Sequence, residues 1–162
     1  MRTSLSIILA SLLLVSCNSE NPKTPNGKSS ESGKEISPLI GTWKLLKGTT
    51  IKGKDTTVTD YTIGQEMIKI ITPTHFSFLR HDLNKGKDSS AVYMAGGGRV
   101  KIEGNKYTEY LDFFSVREWE GNSFEQEFSI NGDTLVTKGI EKVEAAGVDH
   151  INLETLVRVK AN

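Results

Sequence analysis

Residues 124–139 read FEQEFSINGDTLVTKG and contain the clearest chain reversal in the sequence. Asn131-Gly132 suits a tight turn in which two consecutive residues need positive φ. On the first arm the large apolar side chains share one face, because successive side chains of a strand point to opposite sides. The segment therefore predicts a β-hairpin with strands at residues 124–130 and 134–139.

Similar patterns continue in both directions from this hairpin, and helical periodicity is almost absent after residue 35. Gly104-Asn105 predicts a second hairpin between strands 99–103 and 106–115. Pro73 predicts a turn between strands 67–72 and 75–82, because proline interrupts strand pairing. Further strand patterns lie at residues 42–47, 91–95 and 153–160, with a weaker one at 56–62, and residues 141–148 suit a short helical turn or a loop. Eight to ten strands joined by short connections predict an all-β antiparallel barrel or sandwich.

The N-terminus carries a targeting pattern. An apolar run at residues 5–15 follows Arg2 and ends in Leu14-Val15-Ser16-Cys17, whose cysteine is the only one in the chain. The run is shorter than the roughly 20 residues that span a bilayer, and its flanks are typical of a signal peptide. The tetrapeptide resembles the lipobox of bacterial lipoproteins, which implies that Cys17 becomes the acylated first residue. The alternative is a buried cysteine at the end of a transmembrane or core helix.

Residues 18–35 read NSENPKTPNGKSSESGKE and contain no apolar side chain larger than proline. Such a segment buries too little surface to offset the entropy of ordering, so we expect a flexible tether, although part of it packing on the domain is the alternative. The predicted organisation is a signal peptide at 1–16, a lipidated cysteine with linker at 17–35, and a barrel domain at 36–162.

Composition excludes several functions. Twenty basic and twenty acidic residues cancel, so no overall field favours nucleic acid, and the single cysteine precludes a disulfide within the chain. His75 and His81 would lie roughly 20 Å apart on one strand, too far to share a metal ion. Asp149-His150 is a lone carboxylate–imidazole pair without a serine nucleophile in a Gly-x-Ser-x-Gly turn. We therefore expect no enzyme activity, no metal and no cofactor.

A family resemblance is carried first by Gly41-Thr42-Trp43 and by Arg158. They look like the Gly-x-Trp signature of lipocalins, which implies a tryptophan at the barrel base with an arginine across its ring. The alternative is a buried aromatic residue and an unrelated exposed arginine. With the segments IKIITPTHF (68–76), AGGG (95–98), YTEY (107–110) and NGDTL (131–135), the chain is similar to a family of uncharacterised lipocalin-like bacterial lipoproteins. The resemblance covers most of residues 36–160 and implies a calycin-type up-and-down β-barrel of about 8–10 strands, without implying a ligand.

The alternation of side chains also predicts which residues face the barrel interior. An eight-stranded barrel is filled by its side chains or holds one small ligand. A few polar groups converging in an apolar cavity are typical of small-molecule sites. We expect Arg80 and Glu109 to pair with each other or with the ligand, because an unpaired buried charge is costly. The candidate ligand-binding residues are Phe76, Phe78, Arg80, Glu109, Phe113 and Gln126. The alternative is a closed aromatic core, and the opposite face of strand 106–115 is nearly as aromatic.

Two further features have structural and functional interpretations. Gly96-Gly97-Gly98 lacks the helix and lysine of a phosphate-binding loop, so a bulge or bend within a strand is expected. Trp119 lies in the polar loop 117–123, where it guards a ligand mouth, contacts a partner protein or packs over a barrel end.

The sequence thus favours a non-catalytic envelope protein that binds a small hydrophobic or amphipathic molecule. A lipid anchor would hold it at a membrane, which we expect to be the outer membrane. Both the periplasmic and the surface face of that membrane stay open as locations. The first rival is an accessory protein with a filled barrel that binds an envelope protein partner through its loops. The second is a small-barrel enzyme acting on a hydrophobic substrate.

Overall fold

The structure is a computed structural model, and it describes residues 36–160. The predicted signal peptide, Cys17 and the tether lie outside the described residues. Nine strands alternate with short turns, and two segments form single turns of 3₁₀ helix, Arg117–Trp119 and Glu144–Ala146. The strands are β1 (Gly41–Lys52), β2 (Asp55–Asp60), β3 (Gln65–Ile71), β4 (His75–Asp82), β5 (Tyr93–Glu103), β6 (Lys106–Phe114), β7 (Ser123–Asn131), β8 (Thr134–Val143) and β9 (Val148–Arg158).

Strand pairing closes the sheet into an antiparallel barrel of eight strands. The order runs β1-β3-β4-β5-β6-β7-β8-β9, and β9 pairs again with β1. Strand β1 is long enough to pair with β3 through its first residues and with β2 through its last. Strand β2 therefore extends the wall at one end without entering the closed ring. The expected up-and-down barrel is confirmed, and the sandwich alternative is excluded.

The turns separate the two ends of the barrel. One end, called the base here, carries the chain before β1 and the turns β3–β4, β5–β6 and β7–β8. The other end, called the mouth, carries the remaining connections, which include the Arg117–Trp119 turn and the β8–β9 turn. Residues 141–148, expected as a turn or loop, reduce to a single 3₁₀ turn because β8 and β9 pair as far as Val143 and Val148.

The base is closed by the tryptophan and arginine of the predicted signature. The Arg158 guanidinium lies 4.0 Å from the centre of the Trp43 ring, and it donates hydrogen bonds to the Ile40 and Pro38 carbonyl oxygens at 3.0 and 2.6 Å. Trp43 is fully buried, and its Nε1 donates to the Leu39 carbonyl oxygen at 2.8 Å. A side chain at Gly41 would bring its Cβ to 2.5 Å from the Arg158 Nη1. The contact that the lipocalin resemblance implies is therefore present.

The three glycines of β5 lie inside a strand, where one β-bulge changes the register. Gly97 faces Phe113 and Gly98 faces Leu111, so Asp112 is the extra residue of β6. The predicted strands 91–95 and 99–103 are consequently a single strand, and the expectation of a bulge at the glycines is confirmed.

The bulge also corrects one prediction. Strict alternation places Phe113 on the inner face with Glu109 and Leu111, but the extra residue turns its side chain outward, where it is 71% exposed. Phe114 takes the inner position instead and is buried.

The half of the barrel nearest the base is filled by apolar side chains from every strand of the ring. In addition to Trp43, the fully buried ones include Tyr107, Leu39, Leu45, Ile71, Leu135 and Leu156. Among the described residues, no helix is long and apolar enough to cross a membrane.

Candidate functional site

A cavity of about 180 Å³ lies between the mouth and the apolar core. Its wall comes from strands on all sides of the barrel and from the 3₁₀ turn at the mouth. It is lined by Tyr61, Met67, Lys69, Phe78, Arg80, Met94, Glu109, Leu111, Phe114, Trp119, Phe124, Glu141 and Glu154. Aromatic and aliphatic side chains thus share the lining with two basic and three acidic ones.

The buried end of the cavity holds three ionisable side chains from three strands. Lys69 of β3 has its Nζ 2.9 Å from Glu154 Oε2 and 3.1 Å from Glu109 Oε1. All three residues are at least nine-tenths buried. Burial alone would lower the pKa of Lys69, but the two carboxylates outweigh it and raise that pKa well above its ordinary value. Lys69 is therefore a permanently charged bridge between two acidic residues.

Glu109 is the less satisfied of the two carboxylates. Burial raises its pKa, and the opposing effect of Lys69 does not fully offset this. Although Lys69 is close, Glu109 Oε1 accepts no hydrogen bond of good geometry within residues 36–160. An oxygen of this carboxylate therefore has unused capacity to accept a hydrogen bond.

Lys69 was not among the predicted site residues, and the predicted cation beside Glu109 was the wrong one. Arg80 was expected to pair with Glu109 or with a ligand, whereas Lys69 is the cation next to Glu109. The signal was available, since Lys69 alternates with Met67 and Ile71 and therefore shares their face.

Arg80 lies nearer the mouth, where it is held by its own neighbours. Its Nε donates to Gln65 Oε1 at 2.8 Å, and its Nη1 lies 3.6 Å from Met94 Sδ. The guanidinium also lies 5.1 Å from the centre of the Tyr61 ring. Arg80 is thus a positioned cation at the cavity rim.

Glu141 is the carboxylate of the rim. Its Oε1 accepts one hydrogen bond from Asn152 Nδ2 at 2.9 Å, and its Oε2 lies 3.0 Å from His150 Nε2. The suggested pairing of His150 with its neighbour Asp149 is therefore replaced by pairing across β8 and β9. Adjacent residues of a strand point to opposite faces, so Asp149 and His150 diverge.

Four aromatic rings form one side of the cavity. The rings of Phe78 and Phe114 lie 5.4 Å apart, and Trp119 packs on Phe114 at 5.8 Å and on Phe124 at 5.9 Å. The first two contacts are edge-to-face, an arrangement that is favourable beyond the area it buries. Gly96 makes room for them, because a Cβ there would lie 2.7 Å from the Phe78 ring.

The mouth segment that carries Trp119 is tied to the barrel by hydrogen bonds. Glu120 Oε1 accepts from the backbone N–H of Phe114 at 2.8 Å, and Asn122 Nδ2 donates to the Trp119 carbonyl oxygen at 2.9 Å. Trp119 therefore packs over the barrel end, which is one of the three predicted arrangements, and it lines the cavity there.

The six candidate ligand-binding residues fall into three groups. Phe78, Arg80 and Glu109 line the cavity. Phe76 and Gln126 are buried inside the barrel but do not line the cavity. Phe113 is on the outer surface, as described above.

The chemistry of the cavity suits binding. Lys69 stays charged, because its pKa lies well above its ordinary value. In the described part of the chain, no group of three histidine, cysteine, aspartate or glutamate residues is arranged to hold a metal ion. The site therefore offers fixed charges and apolar surface for a small molecule.

A scan against models of known protein families found no match to the chain, and neither did a search of curated proteins. The resemblance to lipocalin-like lipoproteins therefore stays a prediction from the motifs.

Proposed function

We propose that this protein binds a small, partly apolar molecule in the mouth-side cavity of its barrel, without catalysing a reaction. The supporting observation is the combination of an aromatic wall, Phe78, Phe114, Trp119 and Phe124, with charged groups at the buried end and rim. Convergence of a few polar groups in an apolar concavity is typical of ligand sites. The rival interpretation of a filled barrel has less support, because a cavity is present and Trp119 packs on its neighbours.

The size of the cavity limits the ligand. A dry apolar cavity of roughly 150 Å³ holds one benzene molecule, so a volume of about 180 Å³ accommodates a small ring or a short chain. A larger molecule would leave part of its length outside the mouth. The proposed ligand is therefore smaller than a typical membrane lipid.

The binding test uses 4-phenylbutanol, a neutral molecule with a ring, a short chain and a hydrogen-bonding end. Titration is followed by calorimetry and by tryptophan fluorescence. Trp119 lines the cavity, whereas Trp43 is buried at the base, so a change that is lost in Trp119→Phe reports binding at the site. We expect saturable binding of one molecule for each protein chain.

A cavity-filling variant supplies the specificity control. Leu111→Trp adds bulk to a lining residue and should abolish binding, while Leu79→Trp makes the same change on the outer face, where the side chain is 41% exposed. Circular dichroism checks that both variants are folded. Equal binding by the two variants, or no binding by the wild-type protein, would overturn the proposal.

The protein is further proposed to act in the cell envelope, held at a membrane, expected to be the outer one, by lipid on Cys17. This rests on the lipobox-like sequence before Cys17, which lies outside the described residues. An anchor of two or more acyl chains is stable, whereas one is marginal. Replacing Cys17 with Ala should move the protein from the membrane to the soluble fraction. A Ser19→Ala variant should stay with the membrane, and a membrane-bound Cys17→Ala protein would contradict the anchor.

A further inference from the structure

The buried end of the cavity has an excess of negative charge. Lys69 provides one positive charge against the two carboxylates of Glu109 and Glu154. At the rim, Arg80 provides a positive charge to match Glu141, which also contacts His150. Because a buried charge without compensation is unfavourable, the end of the cavity is suited to an additional positive charge.

The open acceptor site is on Glu109. This residue is 8% exposed and lines the cavity. Lys69 Nζ lies 3.1 Å from its Oε1, but the carboxylate accepts no hydrogen bond of good geometry from any residue the structure describes. Buried polar atoms in folded proteins nearly always have a hydrogen-bond partner. A donor within the cavity would supply the partner that the protein itself does not.

From these two observations we propose that the ligand is a cation, a primary ammonium carried on a small aromatic or aliphatic body. Its N–H donates to the carboxylate of Glu109, and its positive charge balances the excess carboxylate at the buried end. The apolar body lies against Phe78, Phe114 and Trp119. This inference rests on the proposed binding function and adds the chemical class of the ligand.

Competing ligand classes fit this end of the cavity less well. A carboxylate would place a third negative charge near Glu109 and Glu154, which already share the positive charge of Lys69. Arg80, the other cation of the lining, lies at the rim. A neutral alcohol satisfies the oxygen of Glu109 but leaves the charge uncompensated. Both ligands can donate to the carboxylate, but only the ammonium adds a Coulomb attraction between opposite charges.

The test compares three probes of matched shape, 4-phenylbutylamine, 4-phenylbutanol and 4-phenylbutyrate, at neutral pH with the full chain. We expect the amine to bind about tenfold more tightly than the alcohol, and the carboxylate to bind most weakly. Competition between the amine and the alcohol, followed by Trp119 fluorescence, establishes that they share one site.

Variants identify the residue that is responsible for the preference for a cationic ligand. Glu109→Gln keeps the shape of the side chain and removes its charge, so the preference for amine over alcohol should fall to near unity. Glu125→Gln makes the same change at an exposed carboxylate paired with Lys106, and it should leave the preference intact. Glu154→Gln should also weaken the preference, which covers the case in which Glu109→Gln does not fold.

The outcomes separate this inference from the function on which it rests. If the alcohol binds and the amine binds equally well or more weakly, the proposal of a cationic ligand is wrong. The proposed binding function then still stands. A preference for amine that survives both cavity variants also overturns the proposal of a cationic ligand. Failure of all three probes to bind overturns the cation together with the binding function.

Discussion

The ionisable side chains of three strands meet inside the barrel. Lys69 of β3 contacts Glu109 of β6 and Glu154 of β9, and all three residues are buried. Removing charges from water is expensive, so a buried cluster of this kind adds little net stability compared with apolar packing. At the end of a cavity, however, such charges would orient a polar group of the proposed ligand. The cluster therefore belongs to the proposed site more than to the core that supports it.

The pH dependence of stability tests the state of Glu109. Because the folded-state pKa of Glu109 is raised above 4.5, the folded protein holds a proton over a range where the unfolded chain has lost it. Stability contributed by this group is therefore lost as the pH rises from about 4.5 through the raised value. Lys69 stays charged throughout this range, because its pKa is well above its ordinary value.

Glu109→Gln removes this titration, so its stability relative to the wild type should rise between pH 4 and neutral pH. Urea unfolding at several pH values measures the difference. Glu125→Gln, on the outer face, should give a curve parallel to that of the wild type. A Glu109→Gln curve that is also parallel would show that Glu109 titrates normally.

At the scale of elements, the β5–β6 pair decides which aromatic residue reaches the cavity. Three consecutive glycines allow the neighbouring strands to approach closely, and the bulge opposite them inserts one residue into β6. The insertion reverses the orientation of every β6 side chain beyond it. Phe114 therefore joins the aromatic wall, and Phe113 is left on the surface.

Alanine substitutions distinguish the roles of two of these glycines. A Cβ at Gly98 would collide with the Tyr110 carbonyl oxygen, so backbone must move, whereas at Gly96 it meets the Phe78 and Phe114 rings. We expect Gly98→Ala to cost about 3 kcal/mol and Gly96→Ala about 1–2 kcal/mol, since rings adjust more readily than paired backbone. Urea unfolding measures both.

Gly96→Ala should also weaken 4-phenylbutanol binding, because displaced rings take up cavity space. Gly98→Ala with no loss of stability would contradict the bulge. Equal costs for the two variants would show that backbone and rings adjust with the same ease.

For the whole molecule, closure depends on joining the first and last strands. Strands β1 and β9 pair along most of their length, and Arg158 connects β9 to Trp43 and to the chain before β1. The apolar base is thereby sealed independently of the mouth. The cavity is consequently backed by a closed end.

Arg158→Ala should destabilise the protein by about 2 kcal/mol, because it removes two hydrogen bonds and a cation–π contact. Arg99 offers a matched control, since it lies 5.2 Å from the Tyr110 ring but is on the outer surface. Arg99→Ala should have a much smaller effect, because exposed ion pairs contribute little. Thermal unfolding measures both variants, and equal shifts would remove the special role of Arg158.

Stability and binding should separate in Arg158→Ala. Below its unfolding transition, the variant should bind 4-phenylbutanol like the wild type, because Arg158 does not line the cavity. A parallel loss of binding would instead show that the base shapes the site.

Local sequence determined most of the strands, their turns and the inward faces of Arg80, Glu109 and Gln126. Side-chain alternation and turn chemistry act over a few neighbouring residues, so a pattern such as Asn131-Gly132 is informative without the rest of the fold. The tertiary structure alone decided which inward groups meet. Lys69 and Glu154 are 85 residues apart, and only barrel closure brings them into contact. Likewise Phe113 turned outward because of its pairing with β5, since register is a property of two strands and cannot be read from one.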